Sequence, residues 1–561
     1  GTPTQALVGA SALHVVGDGF GVPTHTKEMN WSASDRKNLD KLKHLLVRFL
    51  RLQPMYGSHL NTYSATNASN LPSFEERDWI TLMGSGINDM GEWPAKRRLY
   101  NMLSRLMVRN RAKDVEHECP LPPLERRIVS LSMSSLECMT YNVLQSLIML
   151  NAALSQEKDK DYFFHTGNKK TLASVMENVA MACFHFAGFE FLRQVQRAHD
   201  HILQQLNKPH GVAEQFKQEA VEALYQISAA LQDQTWREHV QQGDVLYKAE
   251  HPEERLLLSW SRRGSIWLTS EELLFLRNEY HKKSAHVLDA RGLFEELLRC
   301  GAQYKHRKTG CTVSSATHRS PKTISTPKRN EPFLSEPSRV PALPAAFDDV
   351  LVHTSTSTKL NGILQEILEA VPGEKVLVFS TLHQVLNEIA KALELCRVPF
   401  LFYVSGMPQH LRNTYVNAFT HESQFRCLLM STAIGGSGLD LHCASRIILT
   451  EPIWQWDLES QAVKRAWRIG QTRRVLVSTY VMRHTYEERV IERKKARFLN
   501  GTDAAEQLQT LTDDPDMREF LARPHLVQAP SKKREITWTR PLLGDPAKLS
   551  FVHASKRARH T

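Results

Sequence analysis

The chain has 561 residues, 42% of them hydrophobic, with a net charge of +11 and a pI near 9.2. That length exceeds one ordinary core and predicts roughly three or four domains, while no apolar run approaches the ~20 residues that a membrane-spanning helix needs. The positive balance points to an anionic partner such as nucleic acid, and the eight scattered cysteines, with no CxxC pair, argue against a disulfide scaffold and against RING-type or ribbon-type zinc sites.

A reducing, intracellular location fits that cysteine usage. The first residue is Gly1 and no charged-then-apolar leader follows it, so no secretory signal is expected. The chain reads as a piece of something longer.

In chain order, apolar residues recur at three- and four-residue steps from Leu39 to Leu52, which predicts an amphipathic helix. A second amphipathic stretch, Lys96–Val108, runs into a proline-marked segment at Pro120–Pro123, where a helix must stop. Met139–Ala153 reads as helical, and so does most of the chain from about 145 to 299, for example Val212–Leu231. From Gly301 to Pro344 apolar periodicity disappears and Ser, Thr, Pro, Lys and Arg dominate. Such a composition cannot bury enough surface to offset the entropy of ordering it, so a disordered linker is expected.

After Thr356 short apolar runs alternate with helical patterns. The runs are Lys375–Ser380, Phe400–Gly406, Arg426–Thr432, Arg446–Pro452 and Val475–Val481. Continuous apolar character suits strands buried on both faces. Intervening helices such as Leu382–Leu395 and Leu458–Trp467 make repeated strand–helix–strand units, hence an α/β lobe with a parallel sheet covered on both sides. Chemistry is then expected in the loops at the carboxyl ends of the strands: Ser405-Gly406, Ser431–Asp440 and Glu451–Asp457. From Pro524 onward core residues are sparse and basic residues outnumber acidic ones, which predicts a solvated basic tail compatible with nuclear import or backbone contacts to nucleic acid.

Two features, one in these loops and one on the helix Leu458–Trp467 that follows them, carry chemistry. Gly435, Gly436 and Gly438 directly follow a strand, where glycine lets backbone N–H groups approach a ligand closely. Gln461, Arg465 and Arg468 fall at steps of four and three, so on a helix they share one face. Two planar guanidinium forks so placed are suited to gripping phosphate.

Taken together, STKL (Ser357–Leu360), KVLVFS (Lys375–Ser380), the segment Val404–Arg412, STAIGGSGLDL (Ser431–Leu441) and QAVKRAWRIGQ (Gln461–Gln471) resemble, in order and spacing, the C-terminal helicase motifs of the SWI/SNF-type family. His484–Lys494 looks like the family's brace segment, Gly1–Gln5 like its motif III, and Arg105–Ser132 like the arginine-rich junction before the inter-lobe region. Asp440, Lys464, Trp454-Gln455-Trp456 and Thr450-Glu451 depart from the family's usual residues.

The resemblance implies a RecA-like second motor lobe at 351–500. It places the end of the first lobe and an inter-lobe helical region at 1–144, a mostly helical insertion at 145–300, a disordered linker at 301–350 and a basic, disordered tail at 501–561. It implies an ATP-dependent double-stranded DNA translocase of chromatin remodelling or DNA repair, in the nucleus, with nucleosomes as a further partner. Arg468 would be the arginine finger, Arg465 its companion and Gln461 a polar contact at the cleft. Gly438 and Asp440 would set the loop between nucleotide and DNA, and Ser405, Gly406, Ser431 and Thr432 would grip strand phosphates.

No G-x-x-x-x-G-K-[ST] and no DExH-type box occurs, so ATP and Mg would be bound mainly by a first lobe that this sequence lacks, and the chain alone is not expected to hydrolyse ATP. The alternative is a non-catalytic DNA- or protein-binding module. Cys300, His306, Cys311 and His318 lack paired cysteines, and no metal site is expected from them.

Overall fold

The computed structural model describes residues 118–154, 168–309, 350–499 and 514–543, apart from 209–211, 285, 288, 405–406, 433–438, 524 and 530–534, together with stretches between 39 and 49 and between 99 and 106. It divides into two units. The first comprises Gly1–Leu121 with Asp503–Leu508, and the second the remainder. In the first, His44–Phe49 is helical with Leu46 buried, inside the predicted helix. The expected motif III remnant lies outside the described residues, as do most of the predicted linker and the end of the basic tail.

Among its described residues the second unit contains ten strands: β1 (Leu124–Leu131), β2 (Leu246–Glu250), β3 (Trp267–Thr269), β4 (Leu351–Ser355), β5 (Val376–Ser380), β6 (Phe400–Tyr403), β7 (Cys427–Ser431), β8 (Arg446–Leu449), β9 (Val475–Met482) and β10 (Arg540–Pro541). Six of them form one sheet in the order β1-β9-β8-β5-β7-β6, with every described pairing parallel. All five strands expected after Thr356 are present. Their continuous apolar character has a direct cause, because alternate residues of one strand face opposite cores. Val376, Val378, Cys427, Leu429 and Ile448 pack into one core, and Leu377, Phe379, Leu428, Met430 and Ile447 into another. This is a RecA-like α/β lobe.

The sheet recruits a strand from far upstream. β1 pairs in register with β9 from Leu124–Val475 to Leu131–Met482, so a segment assigned to the inter-lobe helical region is an edge of the lobe. Its sequence, LERRIVSL, hides this because its exposed residues include the charged run Glu125, Arg126 and Arg127, as suits an exposed edge. Two of them are tethered: Arg126 pairs with Glu459 at 2.5 Å and Arg127 with Glu366 at 2.8 Å.

The helical region builds a second core from α1 (Ser135–Leu154), α2 (Lys169–Ala182), α3 (Phe189–Leu206), α4 (Lys217–Gln232) and α5 (Gln234–Gln242). It is not wholly helical. After α5, β2 and β3 join β4 and β10 in a four-stranded antiparallel sheet, flanked by α6 (Glu254–Trp260), α7 (Ser270–Ser284) and α8 (Ala290–Thr309). α8 runs on to Thr309, past Gly301, where the linker was expected to begin, because Leu293, Phe294 and Leu297 anchor its first half in the core. Tyr247, Trp260, Leu268 and Leu276 fill the interior of this small sheet.

The predicted solvated tail is corrected in part. Pro515–Ala522 forms a helix capped by Asp514, whose carboxylate accepts from the Met517 N–H at 3.0 Å, and Met517 and Leu521 enter the helical core. Farther on, the Trp538 N–H donates to the His353 carbonyl at 2.7 Å and the Leu542 N–H to that of Val350 at 2.8 Å. Trp538 is 5% exposed, and Leu542 and Leu543 are fully buried. Three apolar side chains among many charges suffice, because the edge of β4 offers unpaired backbone groups for them to register on.

Candidate functional site

The lobe presents the carboxyl ends of its strands on one side, where chain connections of a parallel sheet leave a crevice. Remaining helices of the lobe are α9 (Thr358–Ala370), α10 (His383–Leu395), α11 (Gln409–His421), α12 (Trp456–Val463) and α13 (Tyr486–Leu499), followed by α14 (Pro515–Ala522).

The arginine segment differs from its expected form. α12 stops at Val463, four residues before the predicted end, so Gln461, Arg465 and Arg468 do not share one helical face. Beyond Val463 the chain tightens: the Arg465 N–H bonds to Ala462 at 3.2 Å and the Ala466 N–H to Val463 at 3.1 Å, both three-residue closures. Side chains drive this local choice. Ala466 is buried, and the Trp467 indole N–H donates to the Pro122 carbonyl at 2.8 Å. Gly470 then takes φ +101°, a conformation that other residues rarely adopt, and the chain reverses. Gln461 is exposed in the last turn of α12.

After that reversal Gln471 turns inward. Its amide donates to the carbonyls of His442 (2.9 Å), Ala444 (2.8 Å) and Ala466 (3.1 Å), and its side-chain oxygen accepts the N–H groups of Thr472 (3.0 Å) and Arg473 (2.9 Å). The Leu441 N–H donates to the Arg465 carbonyl at 3.0 Å. One buried amide therefore ties the β7–β8 connection to the arginine turn and fixes how the two approach.

Arg468 meets that connection directly: its Nε lies 3.6 Å from Asp440 Oδ1 and its Nη1 donates to the Leu439 carbonyl at 3.4 Å. Asp440 Oδ1 is also 2.8 Å from His442 Nδ1. Burial pushes the Asp440 carboxyl up, but the hydrogen bonds from His442 and the Arg468 charge outweigh it and hold the group below its ordinary value. Burial, and after it the adjacent Arg468 charge, pushes the Arg465 guanidinium down. Among the described residues the buried Arg465 Nε has no hydrogen-bond partner. Two guanidinium groups close enough to repel, one with an unsatisfied buried N–H, form a place where an incoming polyanion supplies what the protein leaves unpaired.

The structure thus brings Arg465, Arg468 and Asp440 together. Ser431 and Thr432 close β7, with Ser431 half-buried and Thr432 4% exposed. Ser405, Gly406 and Gly438 lie outside the described residues.

Several motif residues serve elsewhere. The Ser357 hydroxyl donates to the Phe184 carbonyl at 2.6 Å and accepts the Leu360 N–H at 3.2 Å, capping α9. Thr358 bonds Glu137 of α1 through both N–H (2.8 Å) and hydroxyl (2.6 Å). Lys359, 1% exposed, pairs with the fully buried Glu487 of α13 at 2.5 Å. The STKL segment therefore fastens the start of α9 to the helical region and to α13.

Two groups escaped sequence reasoning. Glu451 accepts from the Ser380 hydroxyl at 3.0 Å, the Thr381 hydroxyl at 2.8 Å and the Thr450 hydroxyl, stapling the ends of β5 and β8. Glu366 bonds Ser478 (2.7 Å) and Tyr480 (2.8 Å) and pairs with Arg127 and Arg446. The signal for the first was present, since a Thr-Glu pair ending an apolar strand is an unusual carboxylate in a buried setting. Among the described residues no group of His, Cys, Asp and Glu is arranged to hold a metal ion, and no helix is long and apolar enough to cross a membrane.

Residues 358–470 match the helicase conserved C-terminal domain family. The DNA repair protein rad8 of Schizosaccharomyces pombe is 33% identical over 172 residues, 29% of this chain and 15% of that protein. Protein CHROMATIN REMODELING 24 of Arabidopsis thaliana is 31% identical over 178 residues, 31% of this chain and 16% of that protein. The Sulfolobus solfataricus SWI2/SNF2 ATPase core domain is a structural neighbour at 20% identity and TM-score 0.25, covering 30% of this chain and 34% of that one. The chain thus spans about a sixth of the length of the two curated relatives. Its six-stranded lobe, with the arginine turn tied to the β7–β8 connection, carries a helicase conserved C-terminal domain and is similar to the C-terminal portion of SWI/SNF-type ATPases.

Proposed function

We propose that this chain supplies the second motor lobe of an ATP-dependent double-stranded DNA translocase acting in chromatin remodelling or DNA repair in the nucleus, on naked DNA or nucleosomes. The observation that carries the reading is the Arg465–Arg468 pair, held against the β7–β8 connection, with a buried Arg465 Nε–H that has no hydrogen-bond partner among the described residues. Relatives named for DNA repair and chromatin remodelling support the biological setting.

In this reading Arg468 is the arginine finger that stabilises charge on the transferring γ-phosphoryl, Arg465 its companion, and Gln461 a polar contact at the rim of the cleft. Asp440 and Gly438 shape the loop between nucleotide and DNA. Ser431 and Thr432, with Ser405 and Gly406, grip strand phosphates without reading sequence. ATP and Mg are held mainly by a first lobe, whose P-loop and acidic box this sequence does not contain, so the 561-residue chain alone does not turn over ATP.

The test is DNA-stimulated ATP hydrolysis by the longest natural chain carrying this lobe. Arg468→Ala is expected to lower the rate by roughly 10³–10⁵. Undiminished turnover would remove the finger assignment, and turnover by the 561-residue chain alone would remove the two-lobe requirement.

A further inference from the structure

Asp440 stands in an odd place for a carboxylate. It sits where the lobe gathers positive charge, and its Oδ1 is 3.6 Å from Arg468 Nε. That approach is built in. Gln471 ties the His442 and Ala444 carbonyls to Ala466, and Leu441 is bonded to Arg465, so the Asp440 loop and the Arg468 turn cannot drift apart independently. His442 Nδ1, 2.8 Å from the same carboxylate oxygen, orients it from the other side. Arg465 has no such carboxylate among the described residues.

We propose that Asp440 is a positioning residue, an electrostatic latch that occupies Arg468 until a phosphate anion displaces it. The inference rests on the reading of Arg468 as the residue that meets nucleotide phosphate. An anion must outcompete the carboxylate for the guanidinium, so the latch lowers phosphate affinity in the resting site and keeps the finger parked between turnovers. Both partners are about half exposed, so the competition is modest and salt-sensitive.

The test uses the 561-residue chain and inorganic pyrophosphate, followed by titration calorimetry. Asp440→Asn keeps the shape and removes the charge, and Asp440→Ser provides a second neutral variant should the first fold poorly. Both are expected to bind pyrophosphate roughly two- to fivefold more tightly than the parent, with the gain shrinking as salt rises and vanishing when Arg468→Ala is also present. Equal or weaker binding by the neutral variants overturns the latch, and so does a gain that persists without Arg468. A merely structural carboxylate would move the melting temperature without this salt and Arg468 dependence. The two readings fail separately. A pyrophosphate gain beside intact ATP turnover in Arg468→Ala of the longest chain keeps the latch and removes the finger. Turnover lost in Arg468→Ala beside unchanged pyrophosphate affinity removes the latch alone.

Discussion

Replacing Gln471 with alanine should loosen the site without touching either arginine. The amide makes five hydrogen bonds from an 8% exposed side chain. Each such bond contributes roughly 1 kcal/mol net, and a buried group left unpaired costs about 1–3 kcal/mol. His442 and Thr472 border solvent, so water can reach some of the orphaned groups, and the local loss comes to about 3 kcal/mol rather than the full total. Through the exchange relation, that opens the β7–β8 connection roughly a hundredfold more often. Native-state hydrogen exchange at the Leu441 amide, bonded to the Arg465 carbonyl, reads this directly. Protection there should fall by about two orders of magnitude while amides of β5, buried along its whole length, stay unchanged. A change below about threefold would refute the claim that one side chain holds loop and turn together.

Three further outcomes follow from the packing. Lys359→Met strands the fully buried Glu487 carboxylate, whose pKa burial already raises despite its partner, and should cost about 3–5 kcal/mol by chemical denaturation; adding Glu487→Gln should recover much of it, and no recovery would mean that the pair is not the cause. Trp538→Ala should lower stability by about 3–5 kcal/mol, whereas a solvated tail would show no change in melting. Burial lowers His185 to about 4 and His239 to about 3, so both are neutral in the folded chain at neutral pH. Because the unfolded state takes up their protons first, stability should fall as pH drops from about 6.5 toward 4, by about 3 kcal/mol for His185. Urea midpoints across that range check this, and His239→Phe should flatten the profile.

The lobe was legible in the sequence because a strand buried on both faces must be apolar throughout, and five such runs survive any context. The arginine pair and Gln471 were legible for another reason, since a motif repeats residue identities that the chemistry requires. β1 was not legible. Its Leu124, Val129 and Leu131 face inward only when β9 is present, and its charges read as an arginine-rich junction until Glu459 and Glu366 are placed beside Arg126 and Arg127. The tail strap failed for the same reason, with Trp538, Leu542 and Leu543 isolated in sequence and gathered only at the edge of β4.

By itself the sequence determined the parallel lobe, the order of its motifs and the two arginines that mark it, because these depend on local periodicity and on residue type. Tertiary structure alone decided where the helix before those arginines ends, which carboxylate meets Arg468 and what STKL fastens. The Trp467–Pro122 and Lys359–Glu487 contacts join residues far apart in the chain, and the energy of a long-range contact leaves no periodic trace in either segment.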